Sequence, residues 1–155
     1  MLAQPTKVGP VDTTTTDRAE VTELFARLAV LLNQGRHEEV HRVYADDVEV
    51  RSPKGGVLRG IDEVAAFLEG VRAAGERTHH VHGDVPVDGP ADGTAGRRGP
   101  RPGRWCSFHR PDGRLHRSAG LRVRCTAADT PAGRRFTRVD IALMWTWQAA
   151  PADRP

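Results

Sequence analysis

The chain has 155 residues, 23 of them Lys or Arg and 20 Asp or Glu, for a net charge of +3, and that length fills one domain around a single core. Every basic residue but Lys7 and Lys54 is arginine, as a GC-rich coding sequence produces, so the basic balance calls for no nucleic-acid partner. The arginines are also scattered, without the interleaved aromatic residues that single-strand binding uses.

Residues 1–16 hold Pro5, Gly9, Pro10 and four consecutive threonines, and read as a disordered lead without the apolar stretch of a signal peptide. Asp17 and Glu20 make a capping-box-like start, and Val21, Leu24, Phe25, Leu28 and Leu32 follow at helical spacing until Gly35. A second, short helix is predicted from Arg36 to Tyr44, with Val40, Val43 and Tyr44 on one side. Asp46-Asp47 then breaks to a strand in which Val48 and Val50 alternate with Glu49 and Arg51. Pro53-Lys54-Gly55-Gly56 is turn chemistry for a hairpin. Ile61, Val64, Ala65, Leu68 and Val71 stripe a third helix, which Gly75 stops.

From Thr78 the period becomes two. Strands are predicted over 78–88, within 95–110, over 115–129 and over 134–148. Helices first and long strands after argue an α+β domain over residues 17–148, with 149–155 as a tail. The run from Gly96 to Arg104 fits no central strand, because its prolines and glycines remove ladder donors and packing surface. It reads as a flexible arginine-rich loop between shortened strands; a GC-rich segment translated out of frame would look the same. On the last strand Ile141, Leu143, Trp145 and Trp147 occupy one face, Ala142 and Met144 the other. Helices cover one apolar face, so the other predicts a homodimer.

Cys106 and Cys125 show no Cys-x-x-Cys spacing and no histidine at zinc-ligand distance, and read as reduced thiols. No run approaches the roughly 20 apolar residues of a membrane helix. The expectation is a soluble cytoplasmic protein with no membrane partner.

The succession of helix, Gly35, helix, Tyr44-Ala-Asp-Asp-Val-Glu-Val, Arg59-Gly-Ile-Asp-Glu-Val-Ala-Ala-Phe-Leu, Arg77-Thr-His-His-Val and the closing Gly133-Arg-Arg-Phe-Thr-Arg-Val with Trp145 resembles the SnoaL-like polyketide-cyclase group of the NTF2-like superfamily. The resemblance covers about residues 17 to 148. It implies an NTF2-like cone of curved antiparallel sheet closed by three helices, a deep apolar pocket, a homodimer, and a place among proteins that tailor aromatic polyketides of the actinorhodin type in antibiotic biosynthesis. Relatives include cyclases, dehydratases, isomerases, epoxide hydrolases and silent binding modules, so fold alone leaves the chemistry open.

His80 is the candidate catalytic residue. The resemblance implies a histidine at the start of this strand, pointing into the pocket, and an imidazole titrates near neutrality, so it serves as either acid or base. On a strand His80, His82 and Asp84 share one face, which makes Asp84 the support for the imidazole and His82 a substrate contact. The two histidines and a carboxylate would also suit a divalent ion, but a third ligand at strong spacing is missing, so neither metal nor cofactor is expected. Dehydratases of the family use a tyrosine and an aspartate on the first helix. Counted back from Gly35, those positions are Leu28 and Asn33. Both acid-base groups are absent, although Asn33 remains able to hydrogen-bond a substrate oxygen and Tyr44 to supply a phenol. Asp46-Asp47 reads as boundary chemistry rather than a catalytic pair, and Arg138 with Asp140 as an ion pair at least as readily as a site.

The expected function is therefore cofactor-independent acid-base chemistry, a cyclisation, dehydration or epimerisation, on a small apolar ring-containing molecule of the aromatic polyketide type. The alternative is a non-catalytic ligand-binding or protein-interaction module on the same cone.

Overall fold

A computed structural model describes residues 13–75, 77–83, 103–109 and 114–150, with the side chains of 13–17 and 103–107 left aside. Its elements are α1 (Thr13–Gln34), a 3₁₀ helix (His37–Arg42), β1 (Tyr44–Ser52), β2 (Gly56–Arg59), α2 (Ile61–Ala73), β3 (Arg77–Gly83), β4 (Gly103–His109), β5 (Leu115–Thr130) and β6 (Gly133–Gln148). The α+β expectation holds, with a 3₁₀ helix in place of the second predicted helix. Asp84 and residues 96–102 lie outside the described residues.

Val21, Leu24, Phe25, Leu28 and Leu31 form the buried stripe of α1, at the spacing that keeps side chains on one face. Gly35, at φ 65°, ends it, and the Arg36 N–H donates to the Leu31 carbonyl at 3.0 Å, which closes a Schellman-type cap. The helix starts earlier than the sequence suggests, because Thr13–Thr16 form its first turn. Threonine's low helix propensity is a weak prior, and a first turn has no intrahelical N–H partners to lose.

The six strands make one open, curved sheet in the order β2-β1-β6-β5-β4-β3. Neighbours are antiparallel except β1 and β6, which run parallel. The helix α1 packs on β3 and β6, and α2 packs on β1 and the 3₁₀ helix. Between them lie Phe25, Leu28, Val43, Val48, Val123, Phe136 and Val139, the most deeply buried large side chains. Phe136 touches Phe25 with ring centroids 5.0 Å apart and Tyr44 at 6.3 Å. Tyr44 is thus part of the core and does not line the cavity described below.

One register shift changes the reading of β6. Leu121 pairs with Leu143, but the next residue back on β5, Gly120, pairs with Trp145, so Met144 is the extra residue of a β-bulge. Ile141, Leu143 and Thr146 line the cavity, while Trp145 and Trp147 fall on the outer face. The sequence reading put Ile141, Leu143, Trp145 and Trp147 on one face; strict alternation fails because two residues of β6 oppose one of β5. The Trp145 indole lies over Gly120, where a Cβ would collide with it. The outer face of β1 and β6 carries exposed ion pairs, among them Arg138 with Asp140 at 3.0 Å and Arg138 with Glu49 at 3.7 Å. That is the role the sequence left open for Arg138 and Asp140.

Candidate functional site

A cavity of about 1060 Å³ lies between the C-terminal end of α1, α2 and the inner face of the sheet, large enough for a ligand of several rings. The inner face reads as cross-strand rows. His80 pairs with Cys106, Cys106 with Ala119 and Ala119 with Thr146. The row nearer the start of β3 runs Thr78, Phe108, Arg117 and Gln148.

His80 is buried and its side chain contributes to the cavity wall. Strand β3 is a sheet edge, and an edge leaves alternate backbone groups without a ladder partner. Asn33 supplies that partner. Its Oδ1 accepts from the His80 N–H at 2.6 Å, its Nδ2 donates to the His80 carbonyl at 3.0 Å, and the same Oδ1 lies 3.2 Å from His80 Nδ1. An asparagine two residues before the Gly35 stop thereby acts as a short piece of strand. A carboxylate there would accept but not donate. Asn33 also lines the cavity, but its amide is engaged with His80.

His82 shares a face with His80 yet packs on Phe25, with ring centroids 5.3 Å apart, and does not line the cavity. Leu28, at the position of the family's tyrosine, is core. Asp46 and Asp47 are exposed on β1. Among the described residues no three His, Cys, Asp or Glu side chains are grouped to hold a metal, and no helix is long and apolar enough to cross a membrane.

The structure adds His37, which sequence reasoning missed. It is buried with Val40 on the inner side of the 3₁₀ helix and lines the cavity. Its Nδ1 is buried, lies 4.0 Å from Glu69 Oε2 and has no hydrogen-bond partner. Burial pushes the imidazole below its ordinary value and Arg72 adds to this, against the pull of Glu69 and Glu38. Hydrogen bonding to Arg72 in turn lowers the Glu69 carboxyl. The available signal was the i, i+3 spacing of His37 and Val40, which eclipses two side chains in a 3₁₀ helix.

A curved, open sheet with helices packed against it around a cavity is the NTF2-like architecture. Residues 13–139 match the family model described as SnoaL-like domain, and the chain belongs to that family. Among solved structures it is similar to the hexachlorocyclohexane dehydrochlorinase LinA-type3 from Novosphingobium barchaimii LL02, at 11% identity over 88% of this chain and 92% of that one, with a TM-score of 0.75. The Kfla4162 protein from Kribbella flavida aligns at 20% identity over 86% and 95%, with a TM-score of 0.74. ActVI-ORFA from Streptomyces coelicolor aligns at 14% over 83% and 97%, with a TM-score of 0.69. These likenesses establish the NTF2-like fold. Among curated proteins none matches the chain in sequence.

Proposed function

We propose that this SnoaL-like protein is a cytoplasmic, cofactor-independent enzyme that moves a proton on an oxygenated, ring-containing small molecule, with His80 as the acid-base group. The carrying observation is the His80 imidazole, buried in the cavity wall and fixed by Asn33. In this reading Nδ1–H donates to Asn33 Oδ1, which leaves the lone pair on Nε2 for the substrate. Nε2 takes a proton from a carbon beside a carbonyl, the electron pair passes to the carbonyl oxygen as an enolate, and the imidazolium returns the proton to carbon or to a departing hydroxyl. Epimerisation returns the proton to the carbon, dehydration expels the β-hydroxyl as water as the enolate re-forms its carbonyl, and ring closure has the enolate carbon attack a second carbonyl of the substrate, whose oxygen takes the proton from the imidazolium. The lining is predominantly apolar, and a ligand that expels water from it strengthens the charge interactions the step depends on. The SnoaL-like membership and the likeness to a dehydrochlorinase and to ActVI-ORFA support a pocket enzyme. Asn33 is a positioning residue in this scheme, and Asp84 is the support assigned from sequence.

Val81, Trp145 and Trp147, each roughly half exposed on the outer face, support a homodimer formed across that face. A second reading, a ligand-binding module without turnover, is favoured by Leu28 and Asn33 standing where dehydratases of the family carry acid-base groups. Replacing His80 by Gln separates the two. The enzyme reading expects ligand binding to survive and turnover to fall by a factor of about 100 or more; unchanged turnover would remove His80 from the chemistry.

A further inference from the structure

Of the buried polar side chains described, His37, His80 and Ser118, only the two histidines line the cavity, and the proton-transfer scheme uses one of them. Both are tied to one helix end. Asn33, two residues before Gly35, holds His80, and His37 follows Gly35 by two, so a ligand of several rings in the shared cavity reaches both. The His37 ring has a back and a front. At the back, Nδ1 is enclosed, has no hydrogen-bond partner and lies 4.0 Å from Glu69 Oε2. Burial pushes the pKa below its ordinary value, which leaves the ring neutral at pH 7, with one donor and one acceptor nitrogen. An ionised carboxylate accepts and never donates, so Glu69 places the proton on Nδ1 and the lone pair on Nε2, at the opposite edge of the ring. Arg72 keeps Glu69 ionised and in place, at 2.8 Å. Enclosing a polar edge without a hydrogen bond costs free energy that an apolar ring at this position would not.

We infer that His37 is a ligand-binding residue: the ring compound whose reacting carbon lies at His80 carries a hydroxyl group that donates a hydrogen bond to His37 Nε2. Glu69 is a positioning residue, acting through the tautomer it sets. The acceptor at Nε2 selects hydroxylated rings over their ethers and over rings bearing carbonyl oxygens alone, since those offer no donor. This inference rests on the proposed ring-binding function and names its substrate class.

The test titrates 2-naphthol and 2-methoxynaphthalene, which share a ring system and differ in the hydroxyl proton, into the full chain at pH 7 and follows ligand fluorescence. The wild-type protein should bind the naphthol about three- to tenfold more tightly than the ether, the scale of one neutral hydrogen bond. His37→Phe should bring the two to equal affinity, and His41→Gln, a change at the exposed histidine of the same 3₁₀ helix, should keep the preference. In protein labelled with nitrogen-15 histidine, magnetic resonance should find the His37 proton on Nδ1, Glu69→Ala should mix the two tautomers, and 2-naphthol should shift the Nε2 signal. Equal binding of naphthol and ether by the wild type overturns the inference while leaving the ring-binding reading in place. So does a preference that survives His37→Phe, or a proton found on Nε2 of the free protein. Binding of neither probe overturns the ring-binding reading and the inference with it.

Discussion

The side-chain amide of Asn33 holds the backbone of His80 at both its N–H and its carbonyl, and its oxygen also reaches the imidazole Nδ1. One residue at the end of α1 therefore sets the strand edge, the ring's position and its tautomer together. Asn33→Ala strips partners from two edge groups and should lower stability by about 1–3 kcal/mol in urea denaturation. Asn33→Asp keeps the acceptor, loses the donor and places a negative charge beside the ring. Its activity profile should shift its histidine-dependent limb to higher pH than in the parent protein. A limb that stays in place would show that the proton is carried elsewhere.

His37 makes stability depend on pH, and the sign is fixed by burial. Its pKa is lowered in the fold, so the unfolded chain binds a proton near pH 6.5 before the native protein does. Stability is thus complete above about pH 6.5 and declines as pH falls from there toward the lowered native value. His37→Phe should flatten this decline between pH 7 and 5.5 in chemical denaturation. A variant whose stability falls over that range as steeply as the parent's would assign the dependence to another group.

Phe136 has no exposed surface and bridges Phe25 and Tyr44. Phe136→Ala should cost about 3–5 kcal/mol, transfer and cavity terms together. A loss under about 1 kcal/mol would mean that the three rings do not form the centre of the core.

Gly120 is required by contact rather than by backbone angle, since the Trp145 indole occupies the space a Cβ would need. Gly120→Val should destabilise by about 1–3 kcal/mol, and the double change Gly120→Val with Trp145→Ala should recover most of it. Strict additivity of the two would disprove the contact.

The apolar outer face predicts assembly. Light scattering should give about twice the 17.0 kDa chain mass, and Trp147→Lys should shift the population toward monomer. A monodisperse wild-type monomer at micromolar concentration would refute the interface.

Much of this architecture was legible because its signals are local. The α1 stripe from Val21 to Leu28, the Gly35 stop, the Pro53–Gly56 hairpin and the Ile61–Val71 helix follow from periodicity and turn chemistry. His80 was legible as a strand histidine at the pocket. Asn33 was singled out by its distance from Gly35, but its pairing with His80 spans 47 positions and no local pattern encodes it. Tyr44 carries the same polar handle whether it enters a pocket or a core, and packing with Phe136 decided for the core. The Met144 bulge has no glycine or proline to mark it, so an alternating run of apolar residues concealed a change of face. His37 sits in a polar run that reads as surface until the 3₁₀ geometry turns it inward.

The bulge also determines what light emission from this protein reports. Trp145 and Trp147 lie on the outer face. Neither lines the cavity. Emission from these two indoles is therefore a gauge of what covers the convex surface: burial against a second copy should shift it to the blue. Filling the cavity with a ligand that does not itself absorb should leave their contribution to the spectrum as it was.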